Sequence, residues 1–121
     1  MHEMALVRNV LDIVLAQCEV HPTAAVQAIH LTIGELRDVV DEYIPGLFAH
    51  IARGTVAEHA EIVIHRMPYQ VQCNHCKALF KPDLRDASTW VCPTCGTERD
   101  YRPYSGTEFR IDRIVVQPKP V

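Results

Sequence analysis

The stretch that decides the fold is CNHC, from Cys73 to Cys76, together with CPTC, from Cys92 to Cys95. Each is a C-x-x-C pair, and fifteen residues separate the two pairs. Two residues between cysteines let one tight turn direct both sulfur atoms at a single point, and two such turns make a tetrahedral cage of thiolates that suits Zn²⁺. Gly96 follows the second pair and gives the turn backbone freedom. The spacing predicts a structural zinc site, because four protein ligands leave no open position for chemistry.

The segment around these cysteines, residues 70–106, is rich in turn residues and poor in aliphatic ones. It holds four of the five cysteines, and metal binding would supply most of its folding free energy. The alternatives are two redox-active pairs or ordinary buried cysteines. The segment has five basic and four acidic residues. When the charges of four thiolates and one zinc ion are added, its net charge is no longer positive, so it offers no basic surface for nucleic acid. Within the segment we expect His75 to be solvated and Trp90 to pack inside the ribbon.

The rest of the chain has the periodicity of two helices and three strands. Apolar residues at helical spacing predict an amphipathic first helix between Met4 and Cys18. A second helix is predicted from Asp41, as N-cap, to Gly54, as the residue after the C-cap, with Pro45 in or near its first turn. Alternation predicts strands in VQAIHLTIGEL at 26–36, which Gly34 stops, in AEIVIHRMPY at 60–69 and in TEFRIDRIVVQ at 107–117.

These elements predict an α+β fold, in which two helices pack on a small three-stranded sheet and the cysteine segment forms an inserted zinc-ribbon domain. The expected domain boundaries are 1–69 together with 107–121 for the helix-and-sheet domain, and 70–106 for the insert.

Composition limits the class of protein. The chain has 121 residues, of which 48% are hydrophobic and 22% charged, with a formal net charge of −3, as in an ordinary globular protein. No apolar run approaches the roughly 18 to 20 residues that span a bilayer, and the start lacks a secretory pattern. We therefore expect a cytoplasmic protein with reduced cysteines and no membrane partner.

The first residues, Met1, His2 and Glu3, have a possible chemical meaning. A free α-amine, the backbone nitrogen of residue 2 and the imidazole of His2 can all reach one metal ion, closing a five-membered and a six-membered chelate ring. Such nitrogen-rich tetragonal geometry suits Ni²⁺ or Cu²⁺. The alternative is a solvated terminal histidine.

Four features occur in one order and at one spacing: MHEMALV at 1–7, IGELRDVVDE at 33–42, RGT at 53–55 and the double C-x-x-C segment. Together they resemble the HypA/HybF family of hydrogenase nickel-incorporation proteins, over essentially the whole chain. The resemblance implies a nickel-binding domain with an inserted zinc ribbon. It also implies a metallochaperone rather than an enzyme, which carries Ni²⁺ as cargo and passes it, with a HypB-like GTPase partner, to the large subunit of [NiFe]-hydrogenase.

The resemblance also implies roles for single residues. Met1 would offer its amine, His2 its imidazole and backbone nitrogen, and Glu3 its backbone nitrogen or a supporting contact through its carboxylate. Zinc would be held by the four cysteines of the paired motifs. Some family members place a nickel-binding carboxylate six residues after the glycine of the GE pair, and Val40 stands there in this chain, with Asp38 and Asp41 nearby.

Two other functions fit parts of the sequence. One is a zinc-ribbon adaptor or regulator that binds protein or nucleic acid, with His2 incidental, and the other is a redox protein that uses its C-x-x-C pairs. No phosphate-binding glycine loop is present, so nucleotide chemistry would belong to a partner. We expect a monomer or homodimer.

Overall fold

Both predicted α-helices are present in the structure, a computed structural model that describes residues 3–120. Helix α1 spans Glu3–Val20 and helix α2 spans Ile44–Ile51. Because apolar residues recur every three or four positions, α1 has one buried stripe, which contains Val7, Val10, Leu11 and Val14. The two helices pack against each other, and α2 contributes the fully buried Phe48.

A three-stranded sheet accompanies these helices. Its strands are β1 at Thr23–Gly34, β2 at Glu61–Met67 and β6 at Phe109–Pro118, in the order β2-β1-β6. The central strand β1 buries alternate apolar residues, including Ile29 and Leu31, as the period of a half-buried strand requires. The predicted α+β class with two helices and a three-stranded sheet is confirmed.

The start of the second helix differs from the prediction. Residues Asp41–Tyr43 form a short 3₁₀ turn, and α2 begins only at Ile44 with Tyr43 as its N-cap, so the assignment of Asp41 as N-cap is wrong. The reason is Pro45, which lacks an N–H and is tolerated only in the first helical turn. The C-cap is Ala52, and Gly54, with φ of +79°, lies in the turn beyond it rather than next to the cap.

The cysteine segment contains a second small sheet, which the sequence pattern did not predict. Strands β3 at Gln70–Cys73, β4 at Leu79–Phe80 and β5 at Tyr101–Ser105 pair antiparallel in the order β4-β3-β5. Buried side chains of this segment form a core of their own: Tyr69, Val71, Cys73, Phe80 and Cys92.

The chain divides into two compact units. One comprises residues 1–32, 38–65 and 110–121, and the other residues 33–37 and 66–109. The domain boundaries expected from the sequence, 1–69 with 107–121 and 70–106, stay a prediction. Among residues 3–120, no helix is long and apolar enough to cross a membrane.

Two chain segments of the second unit cross at a pair of glycines. The backbone N–H of Gly34 donates to the Glu108 carbonyl at 2.7 Å, and that of Leu36 donates to the Gly106 carbonyl at 2.9 Å. A Cβ added at Gly34 would lie 2.2 Å from the Gly106 carbonyl group. Gly106 itself has φ of +103°, which strains any other residue. The crossing therefore requires glycine on both segments.

Candidate metal centre

Four cysteine sulfur atoms converge in the second unit. The Sγ atoms of Cys73, Cys76, Cys92 and Cys95 all lie within 4.8 Å of one another. The sulfur atoms of Cys73 and Cys95 are 3.6 Å apart, and those of Cys76 and Cys92 are 3.5 Å apart. Thiolates bound at about 2.3 Å to a tetrahedral ion lie about 3.8 Å apart, so this donor set fits Zn²⁺ with little movement.

Each C-x-x-C pair lies in a turn, and the two turns have the same hydrogen bond. After the first pair, the Lys77 N–H donates to the Cys73 carbonyl at 3.0 Å, and after the second the Gly96 N–H donates to the Cys92 carbonyl at 2.8 Å. The residue that closes each turn has a left-handed backbone, with φ of +67° at Lys77 and +77° at Gly96. The conformational role predicted for Gly96 is therefore present, and Lys77 has the same role. Its position one residue after a C-x-x-C pair was the signal that would have identified it.

Hydrogen bonds lower the pKa values of two of these thiols. The backbone N–H of Cys95 lowers the pKa of Cys92, with a smaller contribution from the N–H of Thr94. The hydroxyl of Thr97, 3.0 Å from the Cys95 sulfur, lowers the pKa of Cys95 together with the Thr97 backbone N–H. These two sulfur atoms are therefore stabilised as thiolates, the form that binds a metal.

The pKa of Cys76 is shifted in the opposite direction. The Ala78 backbone N–H lowers its pKa, but burial and hydrogen bonds with the other three sulfur atoms together raise the pKa of Cys76 to about 12. Four thiolates so close together repel one another, so the last proton is held tightly. A divalent cation at the centre would replace that proton and remove the repulsion.

Aromatic side chains pack beside the cysteine cluster. The Trp90 ring lies 5.7 Å from Tyr101 and 6.2 Å from Tyr69, between ring centroids, and its Nε1 donates to the Asp83 carbonyl at 3.0 Å. Trp90 therefore packs within the ribbon, as expected from the sequence. His75, between the first two cysteines, is exposed.

Of the three residues predicted to bind nickel, Met1 and His2 lie outside the described residues. Glu3 is buried, with 8% of its surface exposed, and its carboxylate accepts a hydrogen bond from the Val40 backbone N–H at 3.1 Å. Val40 is the position for which the resemblance implied a carboxylate in some family members, and its own side chain is exposed. The backbone of residue 40 therefore lies beside the first turn of α1.

A family model described as "Hydrogenase/urease nickel incorporation, metallochaperone, hypA" matches residues 1–116. The chain belongs to the HypA family. Proteins of this family are metallochaperones and maturation factors rather than enzymes, as the resemblance implied.

Curated HypA relatives match over nearly the whole chain. Hydrogenase maturation factor HypA from Lawsonia intracellularis is 30% identical over 118 residues, covering 97% of this chain and all of the relative. The protein of the same name from Geobacter sulfurreducens is 33% identical over 119 residues, with the same coverage.

Two solved HypA structures share the fold. A solution structure of HypA protein has a TM-score of 0.74 at 19% identity and covers 98% of both chains. The solution structure of the Ni metallochaperone HypA from Helicobacter pylori has a TM-score of 0.66 at 18% identity, covering 98% of this chain and all of the other.

Proposed function

We propose that this chain binds Ni²⁺ at its N-terminus and delivers it during maturation of [NiFe]-hydrogenase. The observation that carries the proposal is the HypA family match, which begins at residue 1 and therefore includes the Met-His-Glu start. Relatives of nearly equal length carry the name hydrogenase maturation factor, which favours hydrogenase as the recipient.

The nickel ligands proposed are the Met1 amine, the His2 imidazole and backbone nitrogen, and the Glu3 backbone nitrogen. The contact from the Val40 N–H to the Glu3 carboxylate supports a positioning role for that carboxylate, because it ties the first turn of α1 to residue 40. Ni²⁺ held at the chain start can be passed on in steps, as an acceptor's ligands bind while the amine or imidazole dissociates.

The four cysteines are proposed to hold one structural Zn²⁺. The convergence of four Sγ atoms within 4.8 Å supports this assignment over a redox function, because a dithiol would need only one pair. A HypB-like GTPase and the large subunit of [NiFe]-hydrogenase are the proposed partners, and the cytoplasm the proposed location.

Nickel titration calorimetry on zinc-loaded protein tests the N-terminal site. We expect His2→Ala, and separately one residue added before Met1, to abolish high-affinity binding, because each removes part of the chelate. The His2 imidazole and the Met1 amine must each be unprotonated to bind, and with reference pKa values near 6.5 and 7.7 to 8.0 respectively the affinity should fall steeply below about pH 6.5.

His21→Ala is the matched control, since His21 is an exposed histidine of the same unit, and it should leave the affinity unchanged. Unchanged binding in the extended protein would contradict the nickel site. It would favour the alternative of a zinc-ribbon adaptor in which His2 is incidental.

A further inference from the structure

Two histidines from neighbouring strands meet on the first sheet. His30 of β1 is half-buried and His65 of β2 is exposed, and both belong to the same compact unit. The Nδ1 atom of His30 lies 3.2 Å from Nε2 of His65, and the ring planes are 13° apart. These side chains lie 35 residues apart in sequence, and the proposed nickel and zinc sites use neither.

Arg113 of β6 determines which nitrogen of His30 carries the proton. Its guanidinium nitrogen lies 3.2 Å from Nε2 of His30. Since a guanidinium only donates hydrogen bonds, that Nε2 must accept, and the neutral ring then has its proton on Nδ1. The Nδ1–H in turn donates to Nε2 of His65. The three side chains thus form one directed chain, in which the lone pair of His65 faces His30.

We propose that His30 and His65 form a second, exchangeable site for a divalent transition-metal ion. The ligands are Nδ1 of His30 and Nε2 of His65, with water in the remaining positions. Imidazole donors about 2.0–2.1 Å from an ion, at angles between 90° and tetrahedral, are about 2.9–3.4 Å apart. The present separation of 3.2 Å lies inside that range, so binding requires tilting of the rings rather than separation of the strands.

Metal binding has a defined proton balance at this pair. The ion takes the position between the two nitrogens, so the proton on Nδ1 of His30 leaves to solvent and Nε2 takes up a proton in its place. Nε2 then cannot accept from Arg113, which must move away. Arg113 therefore competes with the ion, both through this hydrogen bond and through its positive charge.

The neighbouring carboxylate is already engaged. Asp112 accepts a hydrogen bond from the Thr32 hydroxyl at 2.5 Å and one from Arg110 at 2.9 Å. The site therefore offers two imidazole ligands, which favours ions for which imidazole is a good donor, such as Ni²⁺ and Cu²⁺, over Mg²⁺ or Ca²⁺. The proposed histidine site shares no ligand with the nickel site proposed at the N-terminus.

Nuclear magnetic resonance of the imidazole rings, with Ni²⁺ as paramagnetic probe, tests the pair residue by residue. The protein used is the full zinc-loaded chain with one residue added before Met1, so that the proposed N-terminal chelate is removed. We expect the His30 and His65 ring signals to broaden at Ni²⁺ concentrations at least about tenfold lower than those that broaden the ring of His59, an exposed histidine. His65→Ala, or His65→Gln, should abolish this preference at His30.

Arg113→Ala gives a second, opposite readout. Releasing Nε2 of His30 should lower the Ni²⁺ concentration required about fivefold, the equivalent of one modest hydrogen bond. Arg8→Ala removes the same charge from an exposed position of the same compact unit without releasing His30 or Asp112, and should change that concentration less than about twofold.

Simultaneous broadening of all histidine rings, or an unchanged His30 response in both His65 variants, would overturn the proposal. So would an Arg113→Ala protein that responds like the parent. Because the readout identifies individual rings in a protein without the N-terminal chelate, failure of the nickel site at Met1 and His2 would not change the result for the histidine pair.

Discussion

At the scale of single residues, the two turns that hold the sulfur atoms differ in how their closing position is filled. Lys77 and Gly96 have the same left-handed backbone and the same hydrogen bond to the first cysteine of their pair. A residue with a Cβ costs about 1 kcal/mol more than glycine in this conformation. The first turn bears that cost at Lys77, whereas the second turn avoids it because Gly96 has no Cβ.

Substitution of Gly96 isolates this conformational cost. A Cβ built at Gly96 meets nothing within 4 Å, so Gly96→Ala adds backbone strain without a collision. We expect the zinc affinity, measured by competition with a chelator, to fall about fivefold, the equivalent of ~1 kcal/mol.

Gly46→Ala is the matched control. Gly46 is in α2, has open space at its Cβ position and no left-handed φ, so alanine should stabilise the protein by about 0.5–1 kcal/mol. Equal effects of the two substitutions on zinc affinity would contradict the assignment of strain to Gly96.

At the scale of elements, the central strand β1 is joined to β6 by a side-chain contact. The Thr32 hydroxyl donates to the Asp112 carboxylate. That bond first, and then the hydrogen bond and charge of Arg110, hold the pKa of Asp112 below its usual range. The carboxylate is therefore more acidic in the folded chain than in the unfolded one.

Asp112 should make stability depend on pH. Because its pKa is lowered by folding, the contribution is complete above the unfolded value, near 3.9, and is lost as the pH falls through the folded value. Urea denaturation should show Asp112→Asn to be less stable than the parent by about 1 kcal/mol at pH 7, with the difference shrinking at acid pH.

A double-mutant cycle with Thr32→Val checks the cause. The losses caused by Thr32→Val and Asp112→Asn should be non-additive at pH 7, since Thr32→Val removes the hydrogen bond and Asp112→Asn removes the negative charge that strengthens it. Strict additivity would show that the acidity of Asp112 has another origin.

The sequence predicted helices and strands correctly where the buried residues recur at a regular spacing. Helix α1 and strands β1, β2 and β6 have such a period, and all four are present. Strands β3, β4 and β5 were missed because their core is partly made of cysteine sulfur atoms, so they lack a long aliphatic alternation. The four cysteines were predicted to meet from spacing alone. The contact between His30 and His65 was not predicted, since it depends on the order of the strands in the sheet.

At the scale of the whole molecule, the two compact units have different sources of stability. The first has a core of helix and strand residues such as Val14, Ile29 and Phe48, each at most 1% exposed. The second has a small buried core in which two members, Cys73 and Cys92, belong to the sulfur cluster. Zinc binding, worth about 10–16 kcal/mol in small zinc domains, would therefore dominate the stability of the second unit.

Removal of zinc should loosen the second unit and leave the first folded. Trp90 is the one tryptophan of the sequence and packs beside the sulfur cluster, whereas helices α1 and α2 belong to the first unit. We expect chelation, or Cys73→Ser, to shift tryptophan fluorescence to the red while the helical circular dichroism signal persists. Cys18→Ser, outside the cluster, is the control. Simultaneous loss of both signals would show that the domain division is wrong.

The strand order β2-β1-β6 has a consequence for biosynthesis. The middle strand leaves the ribosome early, but one of its two neighbours is the last strand of the described chain. Until that strand emerges, one edge of β1 has unpaired backbone groups, which are prone to pair with other chains. The cysteine segment is translated in between, so it can capture its metal before the sheet around β1 is complete.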